Sequence, residues 1–202
     1  ESQLVLDALR RSSNTLTNAS EDELGEYLRD FSPDSLRGVA ANVKGIYHEL
    51  LYVHNYNDTH RDTYAEVFGA TNHPGADIQI RDVETGEVLE QIQLKAVMDA
   101  STVHAHLEKY PDISVLATSE VANGLIDTRV GDSGHDNEIL QSKVEGDLTA
   151  VADNTTGDRA GDAAMVAVGV ASARELLEML QGRRNFPDAV ANALKSAGMA
   201  GS

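Results

Sequence analysis

The first part of the chain carries apolar residues at helical spacing. Ser20 and Glu23 have the spacing of a capping box, which starts a helix. The apolar positions that follow, at i, i+3, i+4 and i+7, are Leu24, Tyr27, Leu28 and Phe31. Ser32 and Pro33 suit the N-cap and first position of a second helix, which should run to about His54. Its buried stripe would consist of Leu36, Val39, Val43, Ile46, Leu50 and Val53. We therefore expect an N-terminal helical segment, 1–31, ahead of this long helix.

The pattern changes from helical to alternating after Gly75. Residues 77–82 and 88–96 both alternate between polar and apolar side chains, as half-buried strands do. The Glu-Thr-Gly sequence at 84–86 between them has the composition of a turn. The two runs predict a β-hairpin. Its second strand has two faces, one with Gln91, Gln93 and Lys95 and the other with Val88, Ile92 and Leu94.

Helices and strands flank this hairpin. Residues 63–68 fit either a short strand or a helical turn. A helix is predicted over 101–110, where Pro111 ends it, and 113–118 then reads as a buried strand. The predicted order is helix, uncertain strand, strand, strand, helix, strand. This order defines an α/β core over 32–126.

The C-terminal part is less regular. Residues 127–162 are rich in Asp, Gly, Asn and Thr, and we expect a long loop or tether with a short strand or helix near 139–151. Residues 163–202 should form a C-terminal helical pair, beginning with a helix of small residues over 163–180. Such a helix could pack against a protein partner or bury itself in the body.

Composition narrows the class of protein. The chain has 202 residues, a net charge of −17, no Cys and 4% aromatic residues. Disulfides and thiolate metal sites are therefore excluded, and a base-stacking platform is disfavoured. No apolar run is long enough for a membrane span, so we expect a soluble protein. The chain has neither a signal-peptide pattern nor an initiator Met, which suggests an excised domain or a processed product.

Four polar residues could form a site at the edge of the predicted sheet. Asp77 opens the first hairpin strand, and Gln93 and Lys95 lie two apart on the second, so they share a face. Carboxylate and amide oxygens bind hard cations such as Mg²⁺. Lys95 could orient or deprotonate an attacking water or neutralise a phosphate. Glu49, beside the apolar stripe of the long helix, could complete the metal shell.

These residues resemble a known signature. Pro74-Gly-Ala-Asp77, followed after fifteen residues by Gln93-Leu-Lys95, looks like the PD-(D/E)XK motif of restriction-endonuclease-like nucleases, in its Mrr-like Gln-x-Lys form. The resemblance covers about 32–121 and implies an αβββαβ core with extra helices at both ends. The tracts 91–96 and 110–116 also look, more weakly, like nuclease domains of bacterial polymorphic toxins.

The resemblance implies an endonuclease that uses Mg²⁺ or Mn²⁺ to hydrolyse phosphodiester bonds, with DNA as the expected partner. The catalytic set would be Glu49, Asp77, Gln93 and Lys95, with all but the lysine as metal ligands. His73 and Lys44 are candidate substrate-binding residues. Such a domain would act in the cytoplasm or as a delivered toxin or defence effector.

A non-catalytic interaction or structural domain with the same fold is the alternative. A basic cleft around Lys95 that includes Lys44, Arg61 or Arg81 would favour the enzyme, since nucleic-acid sites are basic. An acidic or filled cleft would favour the interaction domain. Gln93 stands where most members of the family carry Glu or Asp, which removes one negative charge from the site.

Three further motifs are better explained by structure than by function. Gly131-Asp-Ser133-Gly134 resembles a serine-protease nucleophile motif, but that chemistry needs His and Asp partners, and the tract favours a turn. His104 and His106, with His135, could be proposed as zinc ligands; residues two apart do not share a helix face, so exposed helical histidines are expected. A calcium loop around Asp132 does not match EF-hand spacing, since the neighbouring acids are Asp136 and Glu138.

Overall fold

The computed structural model describes residues 1–69 and 73–154. Within this part of the chain, three α-helices precede the first three strands of one mixed sheet, and helices alternate with strands only after that. The helices are α1 (Ser2–Ser12), α2 (Glu21–Arg29), α3 (Pro33–Thr59), α4 (Ser101–Lys109), α5 (Ser119–Ala122) and α6 (Asn137–Asn154). The strands are β1 (Thr63–Val67), β2 (Ile78–Asp82), β3 (Val88–Lys95), β4 (Ser114–Ala117) and β5 (Val130–Asp132).

The sheet has its strands in chain order. Strands β1, β2 and β3 are antiparallel neighbours, whereas β4 pairs parallel to β3 and β5 parallel to β4. Helix α4 makes the crossover that a parallel pair requires. The predicted hairpin is confirmed, with Ile78 opposite Ile92. The strand predicted over 113–118 is also confirmed: it is β4, and it lies in the same sheet as the hairpin. The segment 63–68, for which the sequence allowed either a short strand or a helical turn, contains strand β1.

Helix boundaries in the N-terminal half follow the capping signals in the sequence. Ser20 accepts a hydrogen bond from the Glu23 backbone N–H, and the Glu23 carboxylate accepts one from Ser20 N, which completes the capping box. The Ser32 side chain caps α3 by accepting from Ser35 N, and Pro33 opens the helix. Helix α3 ends at Thr59, five residues beyond the predicted end.

Three apolar clusters hold these elements together. The largest lies between the helices and includes Leu9 of α1, Leu24 of α2, Tyr47 of α3 and Val144 of α6. A second cluster lies between α3 and the β1–β3 face, and a third joins α4, β4 and α5. The N-terminal helices therefore share a core with the helix that supports the sheet.

The segment after the sheet core is more ordered than the sequence indicated. The described part of the expected loop contains β5 and the 18-residue helix α6. Helix α6 buries Leu140, Val144 and Leu148, which are spaced by four residues, against α2 and α3. The predicted C-terminal helical pair, with its proposed partner-binding helix, lies outside the described residues. Across 1–69 and 73–154, no helix combines the length and apolar character that a membrane crossing requires.

Candidate active site

The hairpin brings Asp77, Gln93 and Lys95 to one end of the sheet. Asp77 immediately precedes β2, and its backbone N–H donates to Ile92 O at 2.9 Å, so it lies beside the end of β3. Gln93 and Lys95 occupy that end two residues apart. Gly75 turns the chain into this position with a φ of +83°, a conformation that favours glycine.

Asp77 is held by its neighbours on β3. Its Oδ2 accepts hydrogen bonds from the Leu94 backbone N–H at 2.9 Å and from Gln93 Nε2, whereas no described residue donates to Oδ1. Burial raises the pKa of Asp77, while the Leu94 hydrogen bond, the Lys95 charge and other neighbours oppose the rise. The Asp77 carboxyl group is therefore oriented, with one oxygen left for another ligand.

Glu49 faces this group from α3. Burial, followed by the negative charge of Asp77, raises the pKa of Glu49 to about 8, while Arg11 and Lys95 act in the opposite direction. No described residue makes a hydrogen bond with its carboxyl group. Glu49 therefore carries a proton at neutral pH in the absence of a cation, and its oxygens have no competing protein partner.

The Gln93 amide is oriented differently from our expectation. Its Nε2 donates to Asp77 Oδ2 and to Leu94 O, the latter at 3.1 Å. The amide nitrogen, rather than the carbonyl oxygen, thus faces Asp77. Gln93 can ligate a cation beside Asp77 only after its amide rotates, so in this arrangement it positions Asp77.

Lys95 lies among the charged groups of the site. It is half-buried, and its charge bears on both Glu49 and Asp77. It also faces His106 of α4, whose pKa is lowered by burial and, to a lesser extent, by Lys95. We expected His106 to be exposed; it is buried, and its Nε2 has no hydrogen-bond partner in the described structure.

Two residues border the site on the side of β1. His73 is exposed beside the site, and its ring stacks on Phe68 with the ring centroids 3.7 Å apart. It lies close enough to Asp77 to lower the pKa of that carboxyl group. Arg11, at the end of α1, donates from Nη2 to Phe68 O at 2.9 Å and faces Glu49. Sequence reasoning missed Arg11 because nothing in its local pattern connects it to residues far along the chain.

Lys44, Arg61 and Arg81, whose presence around Lys95 would have favoured the enzyme, lie elsewhere. Lys44 donates to Asn137 at 2.6 Å, and burial lowers its pKa while Glu145 and Glu120 oppose the change. Arg81 pairs with Glu66 at 2.6 Å. Arg61 comes just before β1. The start of β1 pairs with Asp82, at the end of β2, whereas Asp77 lies at the opposite end of β2. The proposed substrate-binding role of Lys44 at this site therefore has no geometric support.

The protease-like motif does contain a serine–histidine contact. Ser133 Oγ lies 2.9 Å from His48 Nε2, but both side chains are buried. Burial, followed by the charges of His135 and Lys44, lowers the pKa of His48 to about 3. Its Nδ1 has no partner among the described residues, so the orienting carboxylate of a triad is missing. Asp132 instead accepts from Ser119 and the Gly134 N–H.

The donor set at the Asp77 site suits a hard divalent cation in part. In the described ranges, no three His, Asp or Glu side chains are grouped so that they could hold a metal ion. His104, His106 and His135 are accordingly not grouped there, and neither are the acidic residues around Asp132. Glu49 and Asp77 offer carboxylate oxygens, and a rotated Gln93 adds a carbonyl; Mg²⁺ and Mn²⁺ accept such ligands together with water.

No protein-family model matches this chain, and neither a curated protein nor a solved structure is significantly similar to it.

The packing of Gly75 leads to a prediction about the Asp77 turn. A Cβ at Gly75 would lie 2.8 Å from Ile113 Cδ1 and 2.9 Å from Tyr110 Cδ1, in a backbone conformation that already disfavours side chains. Gly75→Ala should therefore cost about 2 kcal/mol or more of unfolding free energy, measured by urea denaturation. Gly86→Ala is the matched control, because Gly86 has a φ of +69° but open space around it. Equal losses for both variants would show that the close packing of Tyr110 and Ile113 against Gly75 adds nothing to the cost.

The environment of Glu49 leads to a prediction about pH. A carboxyl group whose pKa rises from 4.5 to about 8 on folding stabilises the protein below pH 4.5, and this contribution is lost as the pH rises toward 8. Glu49→Gln stays neutral, so in EDTA it should match the parent near pH 5 and exceed it above pH 8 by on the order of 2 kcal/mol. Thermal melts across this range measure the difference. Glu108→Gln, at an exposed position of α4, should show no such divergence.

Proposed function

We propose that this protein is a divalent-metal-dependent endonuclease that hydrolyses phosphodiester bonds, with DNA as its substrate. The observation that carries the proposal is the meeting of two carboxyl groups, Glu49 from α3 and Asp77 from the start of β2, beside Lys95. A site that pairs hard anionic ligands with a neighbouring ammonium suits phosphoryl chemistry, in which a cation and a lysine neutralise developing negative charge.

The arrangement of elements supports the proposal. Helix α3, strands β1, β2 and β3, helix α4 and strand β4 follow one another in the αβββαβ order that the PD-(D/E)XK resemblance implies. Asp77, Gln93 and Lys95 lie at the positions in this order where the resemblance places them. Membership of that superfamily remains our proposal, and the mixed five-stranded sheet is consistent with it.

Each residue of the site has a chemical task in this proposal. Glu49 and Asp77 would hold Mg²⁺ or Mn²⁺, with Gln93 after rotation of its amide, and the ion when bound acts as a Lewis acid toward a phosphate oxygen. Glu49 must first give up its proton. Lys95, as an ammonium, neutralises charge on the phosphate; in its other possible role, taking a proton from the attacking water, it would have to act as the neutral amine. Gln93, before rotation, keeps Asp77 in place.

Local charge makes an anionic substrate compatible with an acidic chain. The net charge is −17, yet at the site Arg11 and Lys95 face one carboxylate, Asp77, and one carboxyl group that is protonated at neutral pH. The charge at the site is therefore less negative than the net charge of the chain indicates, before a cation adds further positive charge. This supports binding of a phosphodiester despite the overall balance.

A non-catalytic interaction domain is the second candidate function, and the orientation of Gln93 favours it. The Gln93 amide already satisfies Asp77 Oδ2 without a cation, and the described residues bring two carboxyl groups, those of Glu49 and Asp77, to the site. A domain that had lost metal binding could retain this closed arrangement. The two functions differ in whether the protein binds Mn²⁺ at Asp77.

The experiment that tests the proposal is digestion of supercoiled plasmid with Mg²⁺, Mn²⁺ or EDTA, combined with Mn²⁺ binding measured by electron paramagnetic resonance. A labelled single-stranded RNA serves as a second substrate. We expect nicking that needs a divalent cation and stops in EDTA. A parent protein that cleaves neither substrate and binds no Mn²⁺ would exclude the nuclease and leave the interaction domain.

A further inference from the structure

Arg11 is the arginine that faces the candidate site, and most of its hydrogen-bonding capacity is unused. A guanidinium group has five N–H donors. In the described structure one nitrogen, Nη2, donates to Phe68 O at 2.9 Å, and the half-buried side chain makes no other hydrogen bond or ion pair. Its Nε is shielded from solvent and has no partner. A ligand cannot reach this shielded nitrogen, so the donors open to an external acceptor are those of the terminal nitrogens, of which Nη1 has no partner in the described structure.

The position of Arg11 is fixed by two independent sets of contacts. Helix α1 buries Val5, Ala8 and Leu9 in the helical core, which places the end of the helix beside α3. The Phe68 carbonyl then anchors the guanidinium at the end of β1, and Phe68 N donates to Asp77 O at 3.2 Å. Arg11 is thus held next to the strand end that carries Asp77, on the side where Glu49 approaches.

The neighbouring protein groups do not neutralise this guanidinium. Glu49 faces it, but the two side chains form neither a hydrogen bond nor an ion pair in the described structure. Asp7, one turn earlier in α1, is engaged by the adjacent Arg10 at 2.8 Å. A phosphate oxygen is the acceptor that suits a planar cation with several unpaired donors beside a phosphoryl-transfer site.

We propose that Arg11 binds a phosphate group of the nucleic-acid strand at the candidate site, which makes helix α1 part of the substrate-binding surface. This inference rests on the proposed nuclease function. It assigns to the N-terminal segment a role in holding the substrate. The alternative role of Arg11 is a structural tie between α1 and β1, which would involve Phe68 but no ligand.

The two roles differ in how binding depends on salt. Each phosphate that a protein cation neutralises contributes about −0.9 to the slope of log affinity against log salt concentration for duplex DNA. A structural arginine contributes nothing to this slope. Fluorescence anisotropy with a labelled 20-base-pair duplex, in EDTA so that no hydrolysis occurs, measures the slope directly for the full chain.

Arg11→Met should weaken duplex binding by about tenfold at 0.1 M salt and reduce the magnitude of the salt slope by about one. Arg11→Lys should keep the slope, because it keeps the charge, while losing about threefold in affinity through the lost planar geometry. Arg10→Met is the matched control: it removes the same charge one residue away, where the side chain instead contacts Asp7 and Ala19 O. It should leave both quantities near the parent values.

The outcomes separate this inference from the proposed function. If the parent binds Mn²⁺ and cleaves DNA but Arg11→Met keeps the parental salt slope, Arg11 is a structural tie and the inference is overturned. If Arg11→Met loses thermal stability, the affinity of Arg11→Lys decides, since parental affinity at the parental slope in that variant contradicts a phosphate contact that depends on the planar guanidinium. A parent that neither binds Mn²⁺ nor cleaves nucleic acid overturns the proposed function, and the inference with it.

Discussion

Asp77→Asn should abolish divalent-dependent cleavage and lower Mn²⁺ affinity by at least about 100-fold, because a neutral amide cannot supply the charge of a metal ligand. The fold should persist. The remaining side-chain oxygen can still accept from the Leu94 N–H, and a rotated Gln93 can offer its carbonyl to the new amide. We expect a change in unfolding free energy of no more than about 1 kcal/mol, measured by urea denaturation in EDTA.

Asp112→Asn is the matched control for this substitution. Asp112 is exposed in the turn before β4 and makes no hydrogen bond or ion pair with a described residue. Asp112→Asn removes the same charge from the chain as Asp77→Asn, but at a residue outside the site. It should therefore leave cleavage and Mn²⁺ affinity unchanged. Equal Mn²⁺ affinity for Asp77→Asn and Asp112→Asn would place the metal elsewhere and remove the basis of the proposed nuclease.

The central hairpin could be predicted from sequence because its signal is local. Alternation over most of 77–82 and 88–96, with a turn between the two runs, predicts two paired strands. The exact register was not predictable in this way, because a β-bulge between Ile80 and Arg81 shifts the pairing by one residue and so brings Asp77 beside Gln93. Strand β1 has five residues of mixed polarity, and its pairing with β2 decides between a strand and a helical turn.

The features that sequence reasoning missed depend on contacts between distant segments. Helix α6 has a narrow apolar stripe in a polar, Gly-containing stretch, and its stability comes from packing against α2 and α3. Arg11 reaches the site because α1 docks on α3. In neither case does a window of neighbouring residues contain the deciding information.

The position of Lys44 could have been derived from helix geometry. Lys44 and Glu49 are five residues apart on α3, and at about 100° per residue they point roughly 140° away from each other. If Glu49 faces the sheet edge, Lys44 must face another side, where it contacts Asn137 of α6. Lys44 and Glu49 are therefore close in sequence but lie on different surfaces of one helix, so their short separation did not predict a shared site.

Lys95→Met should stop the chemistry while leaving metal binding in place, which separates its role from that of Asp77. The substitution removes an ammonium group beside Glu49 and Asp77 but no metal ligand. We expect the rate of plasmid nicking to fall by about 10²- to 10⁴-fold, the range for loss of an electrostatic or general acid–base group. Mn²⁺ affinity should stay equal to or exceed that of the parent, because the site loses a positive charge.

A conservative variant distinguishes the two roles open to Lys95. Lys95→Arg keeps the charge, but a guanidinium does not lose its proton near neutral pH and so cannot act as a base. This variant should therefore nick plasmid faster than Lys95→Met only if Lys95 acts by neutralising phosphate charge. Lys109→Met is the control, since Lys109 is exposed on α4 and lies 5.1 Å from the Tyr110 ring centroid. If Lys95→Met nicks plasmid at the rate of Lys109→Met, no part of the chemistry depends on Lys95. The proposed active site would then have to be abandoned even if Asp77 binds Mn²⁺.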